Sequence, residues 1–300
     1  MKRRSLFACA VLIATTFTSA GTAAATTEAG PGTAASPDPN APKSGIVAGA
    51  HAFAPGARNS RAADRFRELR RARVARDEIH GYWGVRPAGD THDGIMATQS
   101  VAPNYRVSSS EDFTYAPTLK AAGSCVEVTT VYSLTMGNGL WAWDWCGHEG
   151  PAKEIKIDDA FIETYTKPVN DHPAYNVQLV QTDAAANEWA AYLYNHKTAA
   201  WDLFYRQSGR DQSNVTYGWD IFELYTTSDP SSGTSYFCSE AKSDVFESSS
   251  IRLRLKEVWR LASPVDSPWE PTAQPNPKDY GCPTLKFDRA GANDHWIVHQ

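Results

Sequence analysis

The chain has 300 residues, 42% of them hydrophobic, and 29 lysines and arginines against 34 acids give it a net charge of -5. That length is enough for one domain with a full core once processed segments are set aside. Residues 80–300 are more acidic, with 17 basic residues against 28 acidic ones, and such a surface repels phosphates at long range, which excludes nucleic acid as a partner.

The first segment carries Lys2, Arg3 and Arg4, then a mostly apolar run from Leu6 to Phe17, then the small residues Ala23, Ala24 and Ala25. This pattern predicts a secretory signal peptide over 1–25. No later apolar run approaches the roughly 20 residues that a spanning helix needs, so an extracellular chain with no membrane span is expected. Setting Cys9 aside with the signal leaves Cys125, Cys146, Cys238 and Cys282. An even count in an exported chain predicts two disulfides; three connectivities exist, and pairing of sequence neighbours is the simplest.

Residues 26–57 are rich in Ala, Gly, Pro, Ser and Thr, a composition that buries no core and predicts a disordered leader. Asn59 or Ser60 can then cap a helix reaching about Ile79, with a thin apolar stripe through Ala62, Phe66 and Leu69. Residues 58–79 hold eight arginines against four acids. The helix therefore reads either as a pro-segment lying on the acidic domain or as a solvated spacer.

From His80 the texture changes to short runs rich in Val, Thr, Tyr, Trp and Phe, broken by Gly, Pro, Asn and Asp. Strands are predicted at 81–86, 104–108, 125–134, 140–146, 153–157, 161–166, 175–181, 188–194, 201–206, 215–226, 251–259 and 295–299. A dozen short strands without intervening helices predict an all-β fold, an antiparallel β-sandwich of jelly-roll-like type over 80–300. The proline-rich stretch 264–283 is expected to be a loop tied down by Cys282.

Residues 139–147 read GLWAWDWCG, with Trp141, Trp143 and Trp145 at a period of two. In a strand all three share one face. Asn138-Gly139 ahead of them suits a two-residue type I′ turn. That turn pairs Leu134 with Trp143 and Tyr132 with Trp145, gathers the tryptophans with Val126, Val128 and Tyr132 on a core face, and leaves Glu127 on a polar face. A loop one residue longer puts the tryptophans beside Glu127 instead. The two-residue register also sets Cys125 and Cys146 about six residues apart along the pair, too far for a bridge. Either the neighbour pairing or the regular hairpin must give way.

In the strand after Tyr217, Phe222 and Leu224 share one face, and Trp219, Ile221, Glu223 and Tyr225 the other. A carboxylate among aromatics suits acid-base chemistry, because apolar surroundings raise its pKa; the plainer reading is a glutamate at the rim of an aromatic patch. There is no GxSxG elbow, HExxH, CxxC or phosphate loop, and no metal or cofactor is expected.

GYWGVRP at 81–87, YRVSSSEDF at 105–113, CVEV at 125–128 and LWAWDW at 140–145 follow in order the layout of the secreted neprosin family, which this chain resembles over about residues 80–260. The resemblance implies a glutamic endopeptidase, often cutting after proline, made with an N-terminal pro-segment and folded as an antiparallel β-sandwich. It also implies that Glu127 and Glu223 are the catalytic pair, one protonated as general acid and the other ionised to activate water. The sequence departs from the family where Ile221 and Phe222 stand in place of glycines before Glu223, so Phe222 is expected to intrude on a peptide cleft. The alternative is a non-catalytic carbohydrate-binding module using Trp219, Tyr225 and Tyr192 as ring platforms. The expected partner is thus a polypeptide or a glycan, bound by a monomer.

Overall fold

Alternation of apolar and polar side chains along the strands sets which face each one buries. A computed structural model describes residues 58–59, 78–89, 92–147 and 150–300. The predicted signal peptide, leader and most of the basic helix lie outside them; Glu78 and Ile79, placed at that helix's end, belong to a strand.

The strands are β1 (Arg58–Asn59), β2 (Glu78–Val85), β3 (Gly94–Ser100), β4 (Phe113–Lys120), β5 (Val126–Tyr132), β6 (Gly139–Asp144), β7 (Gly150–Lys156), β8 (Thr166–Val169) and β9 (His172–Asp183). After them come β10 (Glu188–Asn195), β11 (Ala200–Gln207), β12 (Trp219–Thr227), β13 (Phe246–Leu255), β14 (Val258–Leu261), β15 (Trp269–Glu270), β16 (Lys286–Arg289) and β17 (Trp296–His299). They form two antiparallel sheets, as predicted. One runs β1-β7-β6-β5-β4-β12-β2-β15; the other runs β11-β10-β9-β3-β13-β17-β16, with β8 on β9 and β14 on β13. Val126, Val128, Leu140, Ala142, Phe222 and Leu224 of the first sheet meet Ile95, Val177, Leu179, Trp189, Leu193 and Leu253 of the second in one core. Among the described residues no helix is long and apolar enough to cross a membrane.

The predicted strand at 161–166 is instead the helix α1 (Asp159–Tyr165), capped by Asp158, whose carboxylate accepts from the Phe161 N–H. Phe161 and Tyr165, four apart and both buried, mark the helical period that their β-prone composition hides. No strand forms at 104–108.

The hairpin of β5 and β6 corrects the sequence reading. Val131 pairs with Gly139, Thr129 with Trp141 and Glu127 with Trp143. The connection is the six residues 133–138, in which the Gly137 N–H bonds to the Ser133 carbonyl and Gly137, not Asn138 or Gly139, takes the positive φ of 81°. A type I′ turn needs positive φ at both central residues, so Asn138-Gly139 is not one. The tryptophans consequently lie on the face of Glu127. Trp141 packs there with Phe113, Tyr115 and Val131, and Trp143 and Tyr225 border the same cluster. The slip also removes the conflict over the cysteines. With Val126 opposite Asp144, Cys125 and Cys146 come within 5.0 Å at Cα and are bridged, and Cys238 is bridged to Cys282.

Candidate active site

Two glutamates on separate strands meet only if something joins those strands, and the joining element is β4, which lies between β5 and β12. Its sequence FTYAPTLK was not predicted as a strand, because a proline cannot continue a central ladder. Here Ala116 and Pro117 sit in a bulge on both sides of β4, where pairing skips from Tyr115 to Thr118. The bulge keeps Pro117 out of the ladder and lets the strand stay central.

Glu127 on β5 faces Lys120 on β4, and Lys120 faces Trp219 on β12. Glu127 is only 5% exposed. Its Oε1 accepts from the Thr118 hydroxyl and from Trp219 Nε1 at 3.0 Å, and its Oε2 from Trp145 Nε1 at 2.8 Å. Thr118 Oγ1 lies 3.1 Å from Thr129 Oγ1. The indoles can only donate, whereas a hydroxyl can donate to a carboxylate or accept from a carboxylic acid. The nest therefore accommodates Glu127 in either protonation state. Burial pushes its pKa up and the negative charge of Glu223 adds to the rise, against the hydrogen bonds from Thr118, Trp219 and Trp145.

Glu223 faces Tyr115 on β4 and Tyr82 on β2. Its Oε1 accepts from the Tyr225 hydroxyl at 2.9 Å and lies 2.8 Å from His80 Nε2. The His80 ring stacks on Tyr225, with centroids 4.1 Å apart. No described residue donates to Oε2, and the side chain keeps 20% of its surface exposed. One carboxyl is thus enclosed and held at both oxygens, and the other reaches solvent with one oxygen held.

Trp219 and Tyr225 join the glutamates on this face. Tyr192 does not. It lies on the outward side of the other sheet, packed with Ala190 and Trp201, because β10 belongs to that sheet and Trp189, Ala191 and Leu193 are the side chains it turns into the core. Phe222 is also placed differently from expectation. It precedes Glu223 but points the opposite way, fully buried against Phe237 and Phe246, so it does not intrude on the glutamate face. His80, Thr118 and Lys120 were not singled out from sequence, and Trp145 was assigned there to the core face rather than to Glu127. His80 had one signal, its spacing of two ahead of Tyr82 on a strand; the others matter through cross-strand pairing that a single sequence does not print.

Trp219 is set by close backbone approach. A Cβ on Gly218 would lie 2.4 Å from the Lys120 carbonyl oxygen and 2.8 Å from the Ala122 nitrogen. Gly218→Ala is expected to push the start of β12 off β4, lower stability by about 1–3 kcal/mol and loosen Trp219 from Glu127. Thermal melting followed by tryptophan fluorescence checks both effects.

No family model matches this chain, and no curated protein does. Solved structures do. Scytalido-glutamic peptidase with a peptide-based transition state analogue aligns with a TM-score of 0.40 and 10% identity over 74% of this chain and 99% of the other. SCP-B, a member of the eqolisin family of peptidases in complex with the tripeptide Ala-Ile-His, aligns with a TM-score of 0.38 and 11% identity over the same shares. Likeness this remote carries no argument about chemistry, which rests on the two carboxyl groups and their surroundings.

Proposed function

We propose that the chain is a glutamic-type endopeptidase that works in acid, outside the cell, on proline-containing polypeptides, with residues 1–25 as signal peptide and 26–79 as pro-segment. The observation that carries this reading is the pair of carboxyl groups on one sheet face in unlike surroundings. Glu127 is buried, with its pKa raised chiefly by burial and further by Glu223, and Glu223 keeps 20% of its side chain exposed. Environments that separate two carboxyl groups assign the acid and the base. The two disulfides suit an oxidising, extracellular setting.

Glu127 holds a proton and Glu223 is ionised in the working form. Glu223 takes a proton from a water whose oxygen attacks the scissile carbonyl carbon. The Glu127 proton goes to the carbonyl oxygen as the tetrahedral intermediate forms. When that intermediate collapses, the C–N bond breaks and the proton taken up by Glu223 leaves on the amine, with Glu127 reprotonated from the hydroxyl it had protonated. Tyr225 and His80 orient Glu223, and Trp145 and Trp219 hold Glu127 on its side of the bond. Cleavage falls wherever either carboxyl carries the wrong proton, giving a bell-shaped profile on the acid side of neutrality.

The test is cleavage of a proline-containing peptide at about pH 4 by the mature protein, beside Glu127→Gln and Glu223→Gln. Each variant is expected to lose at least about 100-fold in kcat/KM. Undiminished cleavage by both variants, or none by the wild type, refutes the proposal. Binding of the peptide without cleavage favours a purely binding module.

A further inference from the structure

The connection from β11 to β12 passes beside the enclosed glutamate, and its first half, residues 208–214, is pinned at several points. The Asp211 carboxylate accepts from Lys120 Nζ at 2.7 Å, and that lysine is fully buried, with its ammonium 5.1 Å from the centre of the Trp219 ring. The Gln212 N–H donates to the Trp145 carbonyl at 2.9 Å, and its side-chain amide donates to the Cys146 carbonyl at 2.7 Å. Asn187 Nδ2 donates to the Gly209 carbonyl at 2.8 Å. These bonds hold the loop against both indoles that bind Glu127.

Between the loop and the end of β6 lies an open pocket of about 420 Å³, lined by Cys146, Arg210, Asp211, Gln212 and Asn214. Four of its five lining residues are polar. The charge of Asp211 is matched by Lys120, while Arg210 is exposed and has no acidic partner among the described residues. The free charge at the pocket is therefore positive, on a domain whose residues 80–300 are acidic overall. A guanidinium in a fixed loop is the side chain best shaped to hold a carboxylate through two parallel hydrogen bonds. Cys146 follows Trp145, which touches Glu127, and Glu223 lies four residues along β12 from Trp219. A chain laid across Glu223 and Glu127 thus continues toward the pocket.

We infer that this pocket is a subsite for the carboxylate of an acidic residue in the polypeptide substrate, and that Arg210 selects it. The inference builds on the proposed peptidase reading, and its test separates the two. Binding is measured by calorimetry at about pH 5.5, where a peptide glutamate is ionised, using the Glu127→Gln/Glu223→Gln double variant and proline-containing peptides that carry Glu or Gln at successive positions on either side of the proline. At one position the Glu peptide is expected to bind about tenfold or more tightly than its Gln counterpart. Adding Arg210→Gln removes the difference, and adding Arg210→Glu turns it toward a Lys peptide. The preference fades at about pH 3, as the peptide carboxylate protonates. Equal binding of the Glu and Gln peptides at every position, no binding of either, or a preference unchanged by Arg210→Gln overturns the subsite. If the preference holds while wild-type protein cleaves no peptide, the subsite stands and the catalytic reading fails; cleavage with no preference has the opposite meaning.

Discussion

Between about pH 4 and pH 7 Asp220 is expected to withdraw about 3 kcal/mol of stability from the folded domain, and Asp220→Asn should remove that contribution. Asp220 alternates with Trp219 and Ile221 on β12, so it turns inward where they turn out. It is fully buried and ties the two sheets together. Its Oδ2 accepts from Ser248 Oγ on β13 at 2.8 Å and Gln99 Nε2 on β3 at 3.2 Å, and its Oδ1 from Trp296 Nε1 on β17 at 2.7 Å. Burial outweighs these three donors and raises the carboxyl to about 7 from 3.8. Below pH 3.8 the group is neutral in both folded and unfolded chains, and its contribution is complete. As pH rises the unfolded chain releases the proton first, so stability falls, and the contribution is lost as pH passes through about 7. Glu127, Glu240 and Asp244, all raised chiefly by burial, slope the same way. Urea midpoints at pH 4, 5.5 and 7 for wild type and Asp220→Asn measure the effect. Equal slopes in the two proteins would assign it elsewhere.

The sandwich was legible because its strands alternate, and alternation survives in a single sequence. Phe222 and Leu224 pointing inward and Trp219, Glu223 and Tyr225 outward follow from period two alone. The pairing of strands was less legible. Asn138-Gly139 carries the strongest local hairpin signal yet makes no turn, while a two-residue turn occurs at Lys256-Glu257, with φ of 46° and 69° and Leu255 opposite Val258. Tertiary packing overrode turn preference in both places. The cysteines held the better information, since bridging Cys125 to Cys146 excludes the regular two-residue register. Strand β4 was hidden by Pro117, whose bulge is visible only in the paired sheet, and with it went the element that brings Glu127 and Glu223 to one face. The separation of Tyr192 has the same origin: alternation says which way a side chain points from its sheet, not which sheet it belongs to.

Glu247→Gln is expected to cost about 3 kcal/mol at pH 5 to 6 and almost nothing near pH 2. Glu247 on β13 is 2% exposed. Its Oε1 lies 2.6 Å from His295 Nε2 and accepts from Asn170 Nδ2 at 2.7 Å, and its Oε2 lies 2.7 Å from His172 Nε2. Burial alone would raise this carboxyl, but hydrogen bonds and charge from His172 and His295 prevail and hold it at about 2, below its ordinary 4.5. The sign is opposite to that of Asp220. The contribution is present above pH 4.5, declines as the unfolded chain takes up its proton first, and is lost as pH falls through 2. Between about pH 4 and pH 6.5 buried His92, lowered to about 4 from 6.5, opposes Asp220, and the slopes of the three groups balance at about pH 5 to 6, on the acid side of neutrality. Chemical denaturation across pH 2 to 8 checks the pair. Asp220→Asn should raise the neutral side of the curve relative to pH 4 and Glu247→Gln should flatten the acid side, whereas a wild-type maximum at pH 7 or above would contradict the Asp220 assignment.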